Sequence, residues 1–143
     1  MSKLIATRAD FQDLSALRLT EASTLLERKQ WSGAYYLMGY AIELSLKSCI
    51  IKVLMETDAF PDKEFSKNCY THGIEKLVQL AGLKDARDAA VKADPDLAKH
   101  WGIVKDWTEE KRYHYVQDLE ANQLWAAISD PQHGVYQWIK SQW

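Results

Sequence analysis

Residues 31–56, Trp-Ser-Gly-Ala-Tyr-Tyr-Leu-Met-Gly-Tyr-Ala-Ile-Glu-Leu-Ser-Leu-Lys-Ser-Cys-Ile-Ile-Lys-Val-Leu-Met-Glu, decide the fold. The stretch holds no proline and reads as one long helix. At 3.6 residues per turn, Ser45, Ser48, Lys52 and Glu56 fall on one side, below Ala34 and Ala41. Tyr36, Tyr40, Ile50 and Leu54 fall roughly opposite, and Glu43 and Lys47 join that second stripe one turn apart. The pair has the favourable helical order, glutamate first. A carboxylate and an ammonium on an aromatic–aliphatic stripe are costly to bury unless paired and hydrogen-bonded. Ser45, Ser48 and Lys52 are the expected solvent side.

Upstream, Asp10 is the expected cap of a first helix over about 10–29, with Phe11, Leu14, Leu17, Ala22, Leu25 and Leu26 facing a core. Arg18, Glu21, Glu27 and Arg28 take its other side. The short joint at Gln30 makes helices 10–29 and 31–56 an antiparallel hairpin. Residues 57–68 contain Pro61 and several turn formers and read as a loop, with a short strand in 57–70 as the alternative. Thr71 is the expected cap of a short helix from His72 to Leu80, closed by Gly82. Further helices are expected over 84–92, from Asp94-Pro95 onward, and over 119–128. Asp130-Pro131 repeats the start signal. The fold class is therefore all-α: one domain over 1–143, an up-and-down helical bundle built on a long antiparallel hairpin.

Hydrophobic residues make up 47% and charged residues 27% of the 143, a globular balance. A net charge of −2 argues against a broad basic surface for duplex nucleic acid and leaves room for a local basic groove. Glu43 and Lys47 at mid-helix exclude a membrane span. Cys49 and Cys69 match no metal or redox spacing and, with no leader in front, read as reduced thiols of a cytoplasmic protein. His72, His100, His114 and His133 are scattered, so no metal site and no cofactor is expected. Trp125, Tyr136, Trp138 and Trp143 crowd the C-terminal region and suggest a subunit interface, hence a homodimer.

Ala22, Leu25, Leu26, Trp31 and the string AYYLMGYAIELSLK over 34–47 resemble the first helical hairpin of HEPN domains. Thr71-His72 with Leu77 is similar to the short helix that follows that hairpin, and Trp107 with Arg112-Tyr113 to a later Arg-Tyr step. The resemblance spans mainly residues 20–115. It implies a dimerising helical bundle that binds nucleotide or RNA. Many members are ribonucleases of toxin–antitoxin or phage-defence systems, paired with a nucleotidyltransferase-like antitoxin, and others are non-catalytic. The catalytic members share R-x4-6-H, whereas here Gln117, Asp118 and Leu119 stand where that histidine would be.

On these grounds Arg112, His72 and His114 are the candidate catalytic residues of a metal-independent ribonuclease, and Glu43, Lys47, Tyr40 and Tyr113 the candidate binding residues. Arg112 has the fork to hold a carboxylate or phosphate at two points. It is the expected third partner of a buried Glu43, which would make Lys47→Met mild. His72 is the expected general acid–base, and Glu43, Lys47, His72 and Arg112 are expected to converge. The alternative is a non-catalytic dimeric accessory module in which these charges are structural.

Overall fold

A computed structural model describing residues 1–143 is all-helical and contains no strand. The eight helices are α1 (Arg8–Glu27), α2 (Trp31–Thr57), α3 (Lys63–Asn68), α4 (Ile74–Leu80), α5 (Lys84–Ala93), α6 (Pro95–Val104), α7 (Asp118–Ser129) and α8 (Val135–Ser141). A 3-10 turn, Glu109–Tyr113, precedes α7. No helix is long and apolar enough to cross a membrane.

The hairpin α1–α2 forms as its periodicity requires. Its joint is Arg28–Gln30, with Lys29 in the left-handed region and the Gln30 N–H returning to the Leu25 carbonyl at 2.8 Å. The start of α1 differs from expectation. Thr7, not Asp10, is the N-cap: its hydroxyl accepts from the Asp10 N–H, and the Asp10 carboxylate accepts from the Thr7 N–H. This is a reciprocal capping box, which Thr-Arg-Ala-Asp spells in the sequence. Leu17 is also not core but half-exposed.

Helix α2 is the centre of the domain. From Met38 to Ile50 only Tyr40 and Lys47 escape full burial. α1, α4, α7, α8 and the 3-10 turn all pack on it. Packing from several sides leaves only Lys47 partly exposed between Ala41 and Ile50, and this overturns the expectation for Ser45 and Ser48, which are both fully buried. The C-terminal segment covers them. Trp143 Nε1 donates to Ser45 Oγ at 3.2 Å, and Lys52 Nζ donates to the Gln142 and Trp143 carbonyls at 3.1 and 3.3 Å. Tyr136 packs edge-on against Trp143, and Trp138 edge-on against Trp101. The C-terminal aromatics are thus used inside the domain.

Three local readings are corrected. Residues 63–68 form α3 rather than loop, because Asp62 caps it through the Phe65 N–H at 2.7 Å. α4 begins at Ile74, not His72; Thr71 Oγ1 instead accepts from the Gly73 N–H and shapes the turn that carries His72. Asp130-Pro131 starts only a capped turn, since Asp130 takes the Gln132 and His133 N–H groups and α8 begins after Gly134. Asp94-Pro95 does start α6, with Asp94 accepting from Asp96 and Leu97.

Trp107 is fixed by a glycine. It is 1% exposed and lies on Gly39, where a Cβ would fall inside its indole ring. Gly102, by contrast, faces open space in the last turn of α6. Gly39→Ala should therefore cost about 3 kcal/mol through overpacking. Gly102→Ala should gain up to about 1 kcal/mol of helix propensity. Urea unfolding of the two variants checks the contrast; equal effects would contradict it.

A second tie joins α6 to the turn before α8. His133 Nδ1 donates to Asp94 Oδ2 at 2.7 Å, and His100 Nδ1 to the His133 carbonyl at 2.7 Å. The hydrogen bond to Asp94 raises the His133 pKa, aided by the charges of Asp94, Asp96 and Asp130; that same bond lowers the Asp94 pKa. The His133 contribution is complete below its unfolded value of about 6.5 and is lost as pH rises through the higher folded value. The Asp94 contribution is complete above about 3.9 and is lost as pH falls through its lower folded value. The stability difference between wild type and His133→Gln should accordingly be larger at pH 5.5 than at pH 9. Urea titrations at the two pH values check it, and an unchanged difference would contradict the tie.

Candidate functional site

On α2 the residues Tyr36, Tyr40, Glu43, Lys47, Ile50 and Leu54 recur at intervals of four, three, four, three and four, so they form one stripe. Glu43 is 1% exposed at its middle. Its Oε1 accepts from Lys47 Nζ at 2.9 Å and from His72 Nδ1 at 2.9 Å. Its other oxygen, Oε2, is buried with no hydrogen-bond partner. The three groups grade outward: the Glu43 side chain is 2% exposed, Lys47 18% and His72 47%.

His72 owes its place to α4. Ile74, Leu77 and Val78 are buried, and α4 packs on α2. That docking carries the preceding turn over the middle of α2. A carboxylate only accepts, so the His72 Nδ1 bears the proton toward Glu43. Nε2 has no protein partner and belongs to the half-exposed side of the cluster. A buried carboxylate that fixes the tautomer of a surface imidazole is the arrangement of an acid–base pair.

Tyr40 borders the cluster. Burial raises its pKa first, followed by the Glu43 charge and Tyr36, with Arg18 acting in the opposite sense. Tyr36 and Tyr40 stack with centroids 6.2 Å apart, and Tyr36 leans on Trp107 at 6.1 Å. The expected third partner of Glu43 is corrected here: it is His72, and Arg112 makes no ion pair with Glu43. The Arg112 guanidinium lies over the Tyr113 ring at 4.9 Å, and the hydroxyls of Tyr113 and Tyr36 raise its pKa. The reason is the seating of the 3-10 turn. Trp107 enters at Gly39, Lys111 turns inward to Glu120 at 2.9 Å and over Tyr35, and the Val116 N–H is held by Ser32 Oγ at 2.9 Å. Arg112 therefore meets α2 at Tyr36, seven residues and about 10 Å along the axis from Glu43.

Tyr113 is 78% exposed and contacts the site only through Arg112. His114 is exposed, and its ring makes no hydrogen bond. Its neighbours Tyr113 and Tyr115 are exposed as well. Glu43, Lys47, His72 and Tyr40 are thus brought together, and Arg112 with Tyr113 forms a second station on the same stripe.

Sequence reasoning missed Arg87. It is 8% exposed, pairs with both oxygens of Glu75 at 2.7 and 2.9 Å and with Asp88 at 3.0 Å, and covers Trp101 at 5.2 Å. Twelve residues separate Arg87 from Glu75, a spacing with no local signature. The largest surface concavity, about 490 Å³, lies there between α4, α5 and α6. Arg87 pairs with Glu75 and Asp88 there and clamps α4 to α5. Asp94, Asp96 and His133 bring ligand atoms within 4.8 Å of one another. Asp94 is committed to capping α6 and to His133, and the positive end of α6 opposes a cation there.

Comparison of the chain with protein-family models, with curated proteins and with solved structures gives no match.

Because Lys47 is the one permanent cation on the buried Glu43, Lys47→Met should be costly, about 3 kcal/mol. That reverses the expectation based on Arg112. The double variant Glu43→Leu/Lys47→Met, which removes the buried charge itself, should recover most of the loss. Urea unfolding measures both; a single variant as stable as wild type would show that Glu43 does not depend on Lys47.

Proposed function

We propose that the chain is an HEPN-like nucleotide- or RNA-binding protein whose Glu43–His72 pair acts on a phosphodiester without a metal. The observation that supports this reading is the 2.9 Å contact from His72 Nδ1 to a buried carboxylate oxygen, with Nε2 left free on a half-exposed ring. Lys47 on the stripe and Arg112 beside Tyr36 at its other end suit an anionic chain. In the proposed step Nε2 accepts the proton of an RNA 2′-OH. The 2′-oxygen forms a bond to phosphorus, the 5′-oxygen leaves, and that oxygen takes a proton from water. Glu43 holds the imidazole and balances the imidazolium that forms. A homodimer and a nucleotidyltransferase-like antitoxin of a toxin–antitoxin or phage-defence system are the partners that the HEPN resemblance implies.

A second reading, a non-catalytic dimeric accessory module, is favoured by one observation: Arg112 sits with Tyr113 and Tyr36 and not with Glu43. On that reading the surface for a second copy is the exposed strip of Tyr113, Tyr115 and Leu119 rather than the C-terminal aromatics.

Labelled single-stranded RNA incubated with the protein should be cut to 2′,3′-cyclic phosphate ends, equally with and without EDTA. His72→Ala and Glu43→Gln should each slow cleavage by about a hundredfold or more. Arg112→Ala should weaken RNA binding with a smaller loss of rate. Absence of both cleavage and RNA retention would favour the accessory-module reading.

A further inference from the structure

The α2 stripe does not end at Lys47. One turn further on, a slot of about 220 Å³ is walled by Phe11 of α1, by Lys47, Ile50 and Leu54 of α2, and by Cys69 and Tyr70 of the α3–α4 connection. The helical rise from Lys47 to Leu54 makes it about 10 Å long. Lys47 belongs to both places: it lines the slot, and its ammonium is on Glu43 Oε1 at 2.9 Å. Tyr70 lines the slot and stands two residues before His72 in the same turn.

We propose that this slot takes the planar base of a nucleotide whose phosphate rests against Lys47 and His72, an inference that rests on the phosphate-binding reading of the Glu43 site. The volume sets the class of ligand. Pockets that engulf a whole small molecule measure roughly 300–1,000 Å³, so this slot holds one ring system and leaves the rest of the ligand outside. The wall is almost all carbon, with one cation at the end nearest Glu43 and no carboxylate in the lining. This matches a ring with an anionic group at one end. Cys69 is part of the wall and not a reactive thiolate, since burial raises its pKa above the ordinary thiol range. Tyr70 is 82% exposed, and its hydroxyl makes no hydrogen bond. Its ring stands at the lip, where it can stack on a base. Such a stack is tolerant of base identity, so the slot selects a base-bearing ligand over a bare phosphate and not one base over another.

The test is calorimetric titration of the whole chain with three probes: adenosine monophosphate, ribose 5-phosphate and inorganic phosphate. Adenosine monophosphate should bind at least tenfold more tightly than ribose 5-phosphate. Tyr70→Ala should cut that advantage about tenfold, the effect of losing one base–aromatic stack, and leave ribose 5-phosphate within twofold of wild type. Cys69→Phe, which fills the slot, should do the same; Tyr70 is at an exposed position, so its variant keeps the test valid if Cys69→Phe does not fold. Lys47→Met and His72→Ala should weaken all three probes together. Equal binding of adenosine monophosphate and ribose 5-phosphate, an advantage that survives Tyr70→Ala, or no binding of any probe would overturn the slot. An advantage that is lost in Tyr70→Ala but indifferent to Lys47→Met and His72→Ala would uphold the slot and refute the phosphate reading.

Discussion

Everything in this molecule is arranged around one carboxylate that water cannot reach. Glu43 lies in the middle of α2 with 1% of its surface exposed. An ion in that position is tolerable only with partners. Lys47 comes from the same helix, one turn on, and needs only the helix to form. His72 is 29 residues away and comes only if α4 docks, so the polar cluster and the apolar packing of Ile74, Leu77 and Val78 are one event. Both donors converge on Oε1, and Oε2 has none. The carboxylate is therefore held but not saturated, and the imidazole it orients keeps its second nitrogen free.

The same helix separates two stations that a single arginine was expected to unite. Gly39 admits Trp107, Trp107 sets the height of the 3-10 turn, and Lys111 takes the inward position on that turn. Arg112 is left to the tyrosines two turns from Glu43. Tyr36 and Tyr40, stacked between the stations, join them into one aromatic strip with a cation at either end.

The long-range plan could be read from residues 31–56 because helical periodicity is local. The hairpin, the stripe through Glu43 and Lys47 and the α6 start at Asp94-Pro95 all rest on intervals of four residues or fewer. What escaped depends on segments distant in the chain. Nothing within α2 says that Trp143 will cover Ser45, or that Arg87 will meet Glu75. The third partner of Glu43 was misassigned because a fork of five donors is the stronger ligand in principle, while the packing of Trp107 and Lys111 decides where it lies. Thr7 and Asp62 were different: their capping patterns were present and outweighed by Asp10 in one case and Pro61 in the other. The exposed ring of Tyr70 gave no signal at all until its neighbours were placed around it.

Glu43 fixes the His72 ring with its proton on Nδ1. Nitrogen-15 spectra of the histidine rings, recorded at a pH where His72 is neutral, read the tautomer directly. A protonated Nδ1 and an open Nε2 are expected for His72, with the preference lost in Glu43→Ala. A protonated Nε2 in the wild-type chain, or a tautomer indifferent to Glu43→Ala, would contradict it.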